Sequence, residues 1–503
     1  MNGGGLTVNA MPPTLCEVIS PLVISRCGDI AADFPLSPAI VNDSRKVEPG
    51  GVFIAIAGWK FDGHDYIQEA LDRGAAAVIH ERSLERYRSD VAYFQCSSTA
   101  LAQGLIWRAF FDAPDDMLDV MGVTGTNGKT TTAFLLEHIF SQGGRPCGLI
   151  STVEYRDGHH RYESTNTTPG SRRIYGLLSA MRDNGLTAAA MELSSHALDQ
   201  QRAAGLRLAA GIFTNLTGDH LDYHGDMEHY YLAKKQMFFD LLRKDGVAVI
   251  NVDDKYGARL ARELGDRCQV ETFGTGKAAK WQISKVGLAA DHAAFRLAST
   301  QAAYDVCSGL IGAHNVHNLA GAVLTALALR IPPRAIDAAL RERIVVPGRL
   351  ESWHREDGAS FYVDYAHTDD ALENVLATLR SLTRRRLIVI FGAGGDRDRT
   401  KRPRMGRAAA AGADLLIVTN DNPRSEAPED IVREIVAGIP AGTPYEIVLD
   451  RRAAIVRAFE LAGDGDCVLI AGKGHEDYQE IAGVRHHFSD REVVTELLAG
   501  AKK

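Results

Sequence analysis

Residues 122–130 read Gly-Val-Thr-Gly-Thr-Asn-Gly-Lys-Thr and join a β-rich apolar stretch to an amphipathic helical one. A glycine-rich turn between strand and helix leaves backbone N–H groups and the positive helix end facing an anion. This constrains the fold strongly, because the strand must be buried in a sheet and the helix packed against it. In that setting Lys129 reaches β- and γ-phosphates, and the Thr130 hydroxyl takes a magnesium ion. The spacing is not the literal Walker pattern. That pattern wants a glycine where Val123 stands, five residues before Gly128, whereas Gly125 and Gly128 are three apart. A chance lysine after a glycine turn is the bland alternative, and it leaves the strand–turn–helix context unexplained.

A chain of 503 residues is too long for one hydrophobic core. Short apolar runs alternate with helical patterns, the mark of α/β architecture. Three blocks separate: 1–118, 119–346 and 347–503. The first has a strand-like run at 51–58 and a helix-like run at 67–79. The second adds strands at 188–193, 209–216 and 246–254 and a helix at 315–330, giving a central parallel sheet of the P-loop ATPase type. The third carries strands at 360–366, 386–395, 414–421 and 466–474 with helices between, which suits a Rossmann-like domain whose ligands gather at the carboxyl ends of the strands.

The formal net charge of -8 argues against a nucleic-acid-binding surface. Seven scattered cysteines without a CxxC pair fit neither a zinc site nor a disulfide framework, and point to reduced thiols in a cytoplasm. The N-terminal residues lack the basic and apolar runs of a signal peptide, and no apolar stretch is long enough to span a membrane. The expectation is a soluble cytoplasmic protein acting on small molecules.

Two further polar residues follow apolar runs. Glu192 ends the run AAAMEL, and His220 lies in TNLTGDHLDYHG. A lone Glu or His at a strand end is more often a solvated loop residue. Beside a phosphate loop, the two make a second magnesium site, since this cation prefers oxygen ligands and substrate phosphates.

The segment GTNGKTT, residues 125–131, resembles the loop of the Mur ligases and their folylpolyglutamate synthetase relatives, which couple ATP cleavage to amide formation. The resemblance implies that Gly125, Thr126, Asn127, Gly128, Lys129, Thr130 and Thr131 hold ATP. Glu192 and His220 fall in matching motifs, and Lys234 of HYYLAKKQ corresponds to a lysine that is carbamylated in the family and supports magnesium; Lys235 is its neighbouring rival. For adenine the resemblance implies Asn315 and Asn318, for the ribose Asp364, with Arg349 close by.

The DSR…DGH pattern of the first block is similar to a UDP-binding domain of the same family. It implies that Asn42 and Ser44, with the Trp59-Lys60-Phe61 segment, contact the uridine nucleotide. Asn166, Thr167, Thr168, Ser194, Gln200 and Arg202 match residues that hold the muramoyl dipeptide. In the third block, GAGGDRDRTKRPRMG, DNPRSE and AGKGHEDYQ each follow a strand. Meso-diaminopimelate carries a second amino-acid head, which calls for a guanidinium against its carboxylate and an anion against its ammonium. Arg397 and Arg424 supply the first, and Glu476 with the Gly472 carbonyl the second. Together with Asp421, Asn422 and Pro423 these are the residues of the diaminopimelate-adding members; lysine-adding members usually lack the arginine of DNPR. One departure is Asp369, where the family commonly has proline in DYAHTPD.

The activity implied is an ATP-dependent ligase that adds meso-diaminopimelate to UDP-N-acetylmuramoyl-L-Ala-D-Glu through an acyl phosphate, in peptidoglycan synthesis. His220 and His367 are candidates for a general base on residue type alone. Three ligands on three domains imply closure of the third block before chemistry, and the resemblance implies a monomer. A nucleotide-binding regulator that makes no bond is the rival from another class, and it gives no use for Arg397, Arg424 and Glu476.

Overall fold

The computed structural model describes residues 13–29, 34–58, 61–289 and 291–500. Three α/β units follow one another along the chain. The first is built on a five-stranded sheet of β1 (Val23–Gly28), β2 (Ile40–Val41), β3 (Val52–Ile54), β4 (Ala77–His80) and β5 (Ala92–Cys96), in the order β1-β5-β4-β3-β2. The run at 67–79 is not one helix. Helix Ile67–Asp72 stops before Gly74, whose φ of +90° suits glycine, and the next apolar residues form β4.

The second unit holds an eleven-stranded sheet. In chain order its strands are β6 (Asp119–Thr124), β7 (Cys147–Ile150), β8 (Glu154–Arg156), β9 (Arg161–Glu163), β10 (Ala188–Glu192), β11 (Leu208–Phe213), β12 (Leu242–Asn251), β13 (Gln269–Gly274), β14 (Trp281–Leu288), β15 (Ala293–Ala298) and β16 (Ala303–Ser308). The sheet order is β16-β15-β14-β13-β12-β11-β6-β10-β7-β8-β9. From β14 to β7 every pairing is parallel; the arms β14-β15-β16 and β7-β8-β9 are antiparallel. β10 and β11 are buried throughout, as strands covered on both faces must be. β6 lies between them, so its carboxyl end opens between two further strand ends.

The third unit has a six-stranded sheet of β17 (Glu351–His354), β18 (Ser360–Asp364), β19 (Leu387–Phe391), β20 (Leu415–Val418), β21 (Tyr445–Ile447) and β22 (Cys467–Ala471), ordered β17-β18-β22-β19-β20-β21. All pairings except β17·β18 are parallel. A hairpin of β23 (Tyr478–Ile481) and β24 (Val484–His487) follows.

The units are joined by different physics. One apolar cluster runs from Leu15, Ile54 and Phe94 through Ile106 and Trp107 to Tyr175, Met191 and Phe238, so the first two units share a core. The third buries its own clusters around Val389, Leu416 and Leu469, and around Phe361, Ile390 and Ile470. Its hydrogen bonds to the second unit include those of Asn127, Thr130 and Thr217 with Asp370 and Arg349. Polar contacts exchange readily with water, so this junction is the one suited to opening. Among the described residues no helix is long and apolar enough to cross a membrane.

Within the third unit Arg451 and Asp490 form a wholly buried ion pair, with Nε and Nη2 donating at 2.8 and 2.7 Å. The guanidinium also donates to the carbonyls of Asn420 and Ala471, at the ends of β20 and β22. Asp490→Ala leaves a buried cation unpaired and is expected to destabilise this unit by about 3–5 kcal/mol. Urea unfolding followed by Trp353 fluorescence checks this, and an unchanged midpoint would remove the pair from the framework.

Candidate active site

The glycine turn leaves β6 at its carboxyl end and enters helix Lys129–Gln142. Gly128 caps this helix with φ +87°, and a Cβ there would lie 2.3 Å from Asn318 Oδ1, so glycine is needed for both conformation and approach. Lys129 curls back, its Nζ donating to the carbonyls of Gly125 and Thr126 at 2.9 Å each. Lys234, on helix Met227–Gln236 where it widens into a π turn at Met237–Leu241, donates to the same Gly125 carbonyl at 2.8 Å. Burial drives both amines below the ordinary lysine range, and the Lys129 charge drives Lys234 further. Carbamylation needs an amine that is partly deprotonated, and burial beside a second cation favours that form at Lys234. Lys235 instead pairs with Glu263 at 2.9 Å, so the geometry favours Lys234 over its neighbour.

Glu192, at the end of β10, is completely buried. Its carboxylate accepts from Thr130 Oγ1 at 3.1 Å and from Thr152 N and Oγ1 at 2.8 and 3.1 Å. None of these donors is a cation, so the enclosed anion fits a metal ion. Among the described residues no three His, Cys, Asp or Glu side chains form a ready metal cage.

Around the same strand end the expected dipeptide residues meet. Thr168 Oγ1 donates to the Glu192 carbonyl at 2.8 Å and accepts from Ser194 N at 3.0 Å. Arg202 donates to the Thr168 carbonyl and, through Nε and Nη2, to Gln200 Oε1. Thr152 reaches Thr167, and the Asn166 carbonyl accepts from Tyr155. The first-unit residues do not join this group. Ser44 is buried against Glu69 at 2.7 Å, while Asn42 lines a separate cavity with Arg172 and Arg173. Trp59 and Lys60 lie outside the described residues, and Phe61 is exposed.

Between the second and third units lies a cavity of about 270 Å³ that the phosphate loop enters with Asn127, Gly128 and Thr131. His314, Asn315 and Asn318 of helix Ala313–Ala328 line it, with Arg349, Asp364 and Asp370 opposite. Arg349 donates to Thr130 Oγ1 at 3.1 Å and stacks on Tyr365 at 4.7 Å. Asp364 is buried, and its two oxygens accept from Leu350 N and Ala366 N at 2.8 Å each. It therefore anchors the linker backbone as well as facing the cavity. Asn315 and Asn318 are tied to each other at 2.9 Å.

A second cavity, of about 320 Å³, is lined from the second unit by Asp219 and His220 and from the third by His367, Arg397, Arg424 and Glu476. Its acidic floor is wired by a residue that sequence reasoning missed. The Lys473 ammonium, wholly buried, donates to Asn422 Oδ1 at 3.0 Å and the Tyr478 carbonyl at 2.7 Å, and lies 3.4 Å from Glu476. Burial and then Asp421 raise the Glu476 carboxyl. Asp421 goes the other way: burial opposes it, but Lys473 and Arg451 hold it below the usual carboxylate range. Gly472 has φ +117°, and a Cβ would stand 2.4 Å from Asp421 Oδ2. Arg424 has φ +53°, donates to the Gly395 carbonyl at 2.7 Å and is pinned through its backbone to Glu480 of β23 at 3.0 Å. Pro423 lies beneath it, its carbonyl against Gly395.

His220 and His367 both line this cavity, and burial depresses both imidazoles. Asp219, also missed, lines the same cavity 3.4 Å from His220 Nε2; burial opposes its ionisation, while His220, His367 and Lys401 favour it. Its signal was its place beside His220. Asp369 begins helix Asp369–Leu382 behind the Thr368 cap and pairs with Arg404 at 3.1 Å, so the loss of proline leaves the helix start intact.

Comparisons with known proteins place these features in one family. The Mur ligase middle domain matches residues 123–326, the Mur ligase glutamate ligase domain residues 348–474, and the Mur ligase family catalytic domain residues 39–104. A UDP-N-acetylmuramoyl-L-alanyl-D-glutamate--2,6-diaminopimelate ligase of Aquifex aeolicus is 44% identical over 92% of this chain and 93% of its own. The enzyme of the same name from Geobacter metallireducens is 41% identical over 90% and 92%. A solved structure of an enzyme with that name superposes with a TM-score of 0.68 at 35% identity, covering 98% of this chain and all of the other. MurF from Acinetobacter baumannii, 20% identical with a TM-score of 0.61 over 92% of this chain and 93% of its own, shares the fold.

Proposed function

The chain belongs to the Mur ligase family, and we propose that it joins meso-2,6-diaminopimelate to the D-Glu γ-carboxylate of UDP-N-acetylmuramoyl-L-Ala-D-Glu with cleavage of ATP, in peptidoglycan synthesis. The observation that carries this reading is the second cavity. One wall is Asp219 and His220, beside the phosphate loop, and the other is Arg397, Arg424 and Glu476. An amino acid with a second zwitterionic head fits that charge pattern, with guanidinium groups for the distal carboxylate and Glu476 for the distal ammonium. On this reading residues 1–118 hold the nucleotide sugar, 119–346 ATP and 347–503 the amino acid. The enzyme works as a cytoplasmic monomer.

In the reaction the γ-carboxylate attacks the γ-phosphorus of ATP, ADP leaves, and an acyl phosphate forms. The amine nitrogen then attacks the acyl carbon, loses a proton, and expels phosphate as the amide forms. Lys129, freed from the Gly125 and Thr126 carbonyls, offsets charge on the transferring phosphoryl group. Arg202, Thr168 and Ser194 orient the dipeptide carboxylate, and of the two candidate bases His367, which is outside the magnesium set, takes the proton. Thr130, Glu192, His220 and Lys234, the last as its carbamate, would hold magnesium, which would supply neutralisation of phosphate charge. The chain's remaining work is positioning and exclusion of water.

Phosphate release from ATP, with the nucleotide dipeptide and magnesium present, tests the proposal. Release that requires meso-diaminopimelate, with the tripeptide product seen by mass, is the expected result. Equal turnover with L-lysine would keep the ligase and discard the amine; no release with either would overturn the reading. A bond-free nucleotide regulator would bind ATP without amine-dependent release.

A further inference from the structure

We propose that Asp370 is a positioning residue that couples docking of the third unit to the shape of the phosphate loop; this rests on the reading of that loop as the ATP site. The carboxylate stands in the first turn of helix Asp369–Leu382 and lines the nucleotide cavity. Its Oδ2 accepts from Asn127 Nδ2 at 2.7 Å and from Thr217 Oγ1 at 3.3 Å. Both donors belong to the second unit, and they come from two different segments. Asn127 is inside the phosphate loop; Thr217 is on the turn after β11 that leads to Asp219 and His220.

Those segments are already clasped to each other. Thr217 N donates to Thr126 Oγ1 at 3.0 Å, and Thr126 Oγ1 donates to the Thr217 carbonyl at 3.2 Å. The Asn127 backbone is fixed by Asn215 and Thr214, since its N–H donates to Asn215 Oδ1 at 2.9 Å and its carbonyl accepts from Thr214 Oγ1 at 2.6 Å. The Asn127 side chain is held across the unit boundary by Asp370. One anion thus grips the phosphate loop and the histidine turn together, and it does so only when the third unit is docked. Because the junction is crossed by polar bonds while each unit's buried apolar cluster is built from its own residues, with half-buried Ile311 of the second unit packed on the third, undocking breaks these contacts without unfolding either side.

A helix-stabilising role for an acid at this position is the plain alternative. The adjacent residue separates the two explanations. Asp369 occupies the same helix end but pairs with Arg404 of its own unit. Loss of Asp369 therefore costs the helix-end charge and leaves the crossing contact in place.

The test compares Asp370→Ala, Asp370→Asn and Asp369→Ala with the unaltered enzyme, measuring kcat, KM for ATP and nucleotide-induced compaction by small-angle scattering. Hydrogen bonds to a charged acceptor of this kind correspond to about a ten- to hundred-fold fall in kcat for Asp370→Ala. Compaction with ADP and the nucleotide dipeptide should be lost, KM for ATP should change less than kcat, and Asp370→Asn, which keeps an acceptor oxygen, should recover most of the rate. Asp369→Ala should keep kcat within about three-fold. In a double-mutant cycle, Asn127→Ala should cost little further once Asp370 is alanine. Additive losses, or full activity and compaction in Asp370→Ala, overturn the inference. Should Asp370→Ala fail to fold, Asp370→Ser, whose shorter side chain cannot span the contact to Asn127, carries the same cycle. Absence of amide formation by the unaltered enzyme would instead refute the functional reading itself.

Discussion

Lys234→Met is expected to cut the rate of amide formation steeply while raising the unfolding midpoint in bicarbonate-free buffer. Both effects follow from one placement. The amine is buried on the Gly125 carbonyl, which Lys129 also occupies. Burial first, and the Lys129 charge second, put its folded pKa well below 10.5. The unfolded chain then binds a proton that the folded chain does not, so stability rises with pH between the depressed folded value and 10.5. Near neutrality the unmodified amine is a net destabiliser, and an apolar side chain of similar length removes that cost. Activity moves oppositely, because the carbamate that would carry magnesium can no longer form. The expected loss in kcat is about 100- to 1000-fold, the scale of removing one group that meets developing charge. Phosphate release and thermal unfolding at about pH 7 and about pH 9.5 check both halves, and the stability gain should shrink at the higher pH. Activity within ten-fold of the unaltered enzyme would remove Lys234 from the site. A lower midpoint would mean that its hydrogen bond outweighs its burial.

The same position shows what a sequence can disclose. The phosphate loop was legible because three constraints coincide over nine residues: an apolar strand, glycines at positions of positive φ, and a helix start. The third unit's polar motifs were legible for a related reason. Each follows a strand buried along all or nearly all of its length, and parallel strands deliver such ends to one edge. Resemblance then attached roles to Glu192, Arg397 and Arg424 that periodicity alone could not. What escaped was everything decided by long-range approach. Gly74 splits the 67–79 run, yet an apolar pattern of that length suits a helix as well as a helix and a strand. β17 and β21 are edge strands of four and three residues, too short to leave a legible alternation. Lys473, Asp219 and Asp370 sit inside or beside recognised motifs, but a charged residue in a polar turn reads as solvated until its partners are known. Asp364 was assigned to a ligand, and the fold also gives it two backbone N–H groups to hold.

Arg424 carries the second large prediction, because its conformation leaves it one task. A left-handed backbone at a non-glycine residue is maintained only by surrounding contacts, and here they are the backbone bonds to Glu480 and Ala482 of the hairpin and the Gly395 carbonyl. The side chain is thereby fixed toward the second cavity with its Nε 3.7 Å from Glu480. Against the distal carboxylate of meso-diaminopimelate a guanidinium makes paired, charge-assisted bonds, of which one is worth about 1.5–3 kcal/mol. Arg424→Ala is expected to lower kcat/KM for meso-diaminopimelate by about 100-fold, with KM for ATP unchanged. Arg424→Lys should recover only part of the loss, since an ammonium is a point donor and cannot match a planar carboxylate with two bonds. Selectivity should fall further than rate. L-Lysine ends in an ammonium, which Arg424 repels and which Glu476 and Glu480 would attract once the guanidinium is gone. The ratio of kcat/KM for meso-diaminopimelate to that for lysine is therefore the quantity to measure in all three enzymes. A ratio that stays constant while both rates drop would make Arg424 a support of the loop, and the discrimination would then have to come from Arg397.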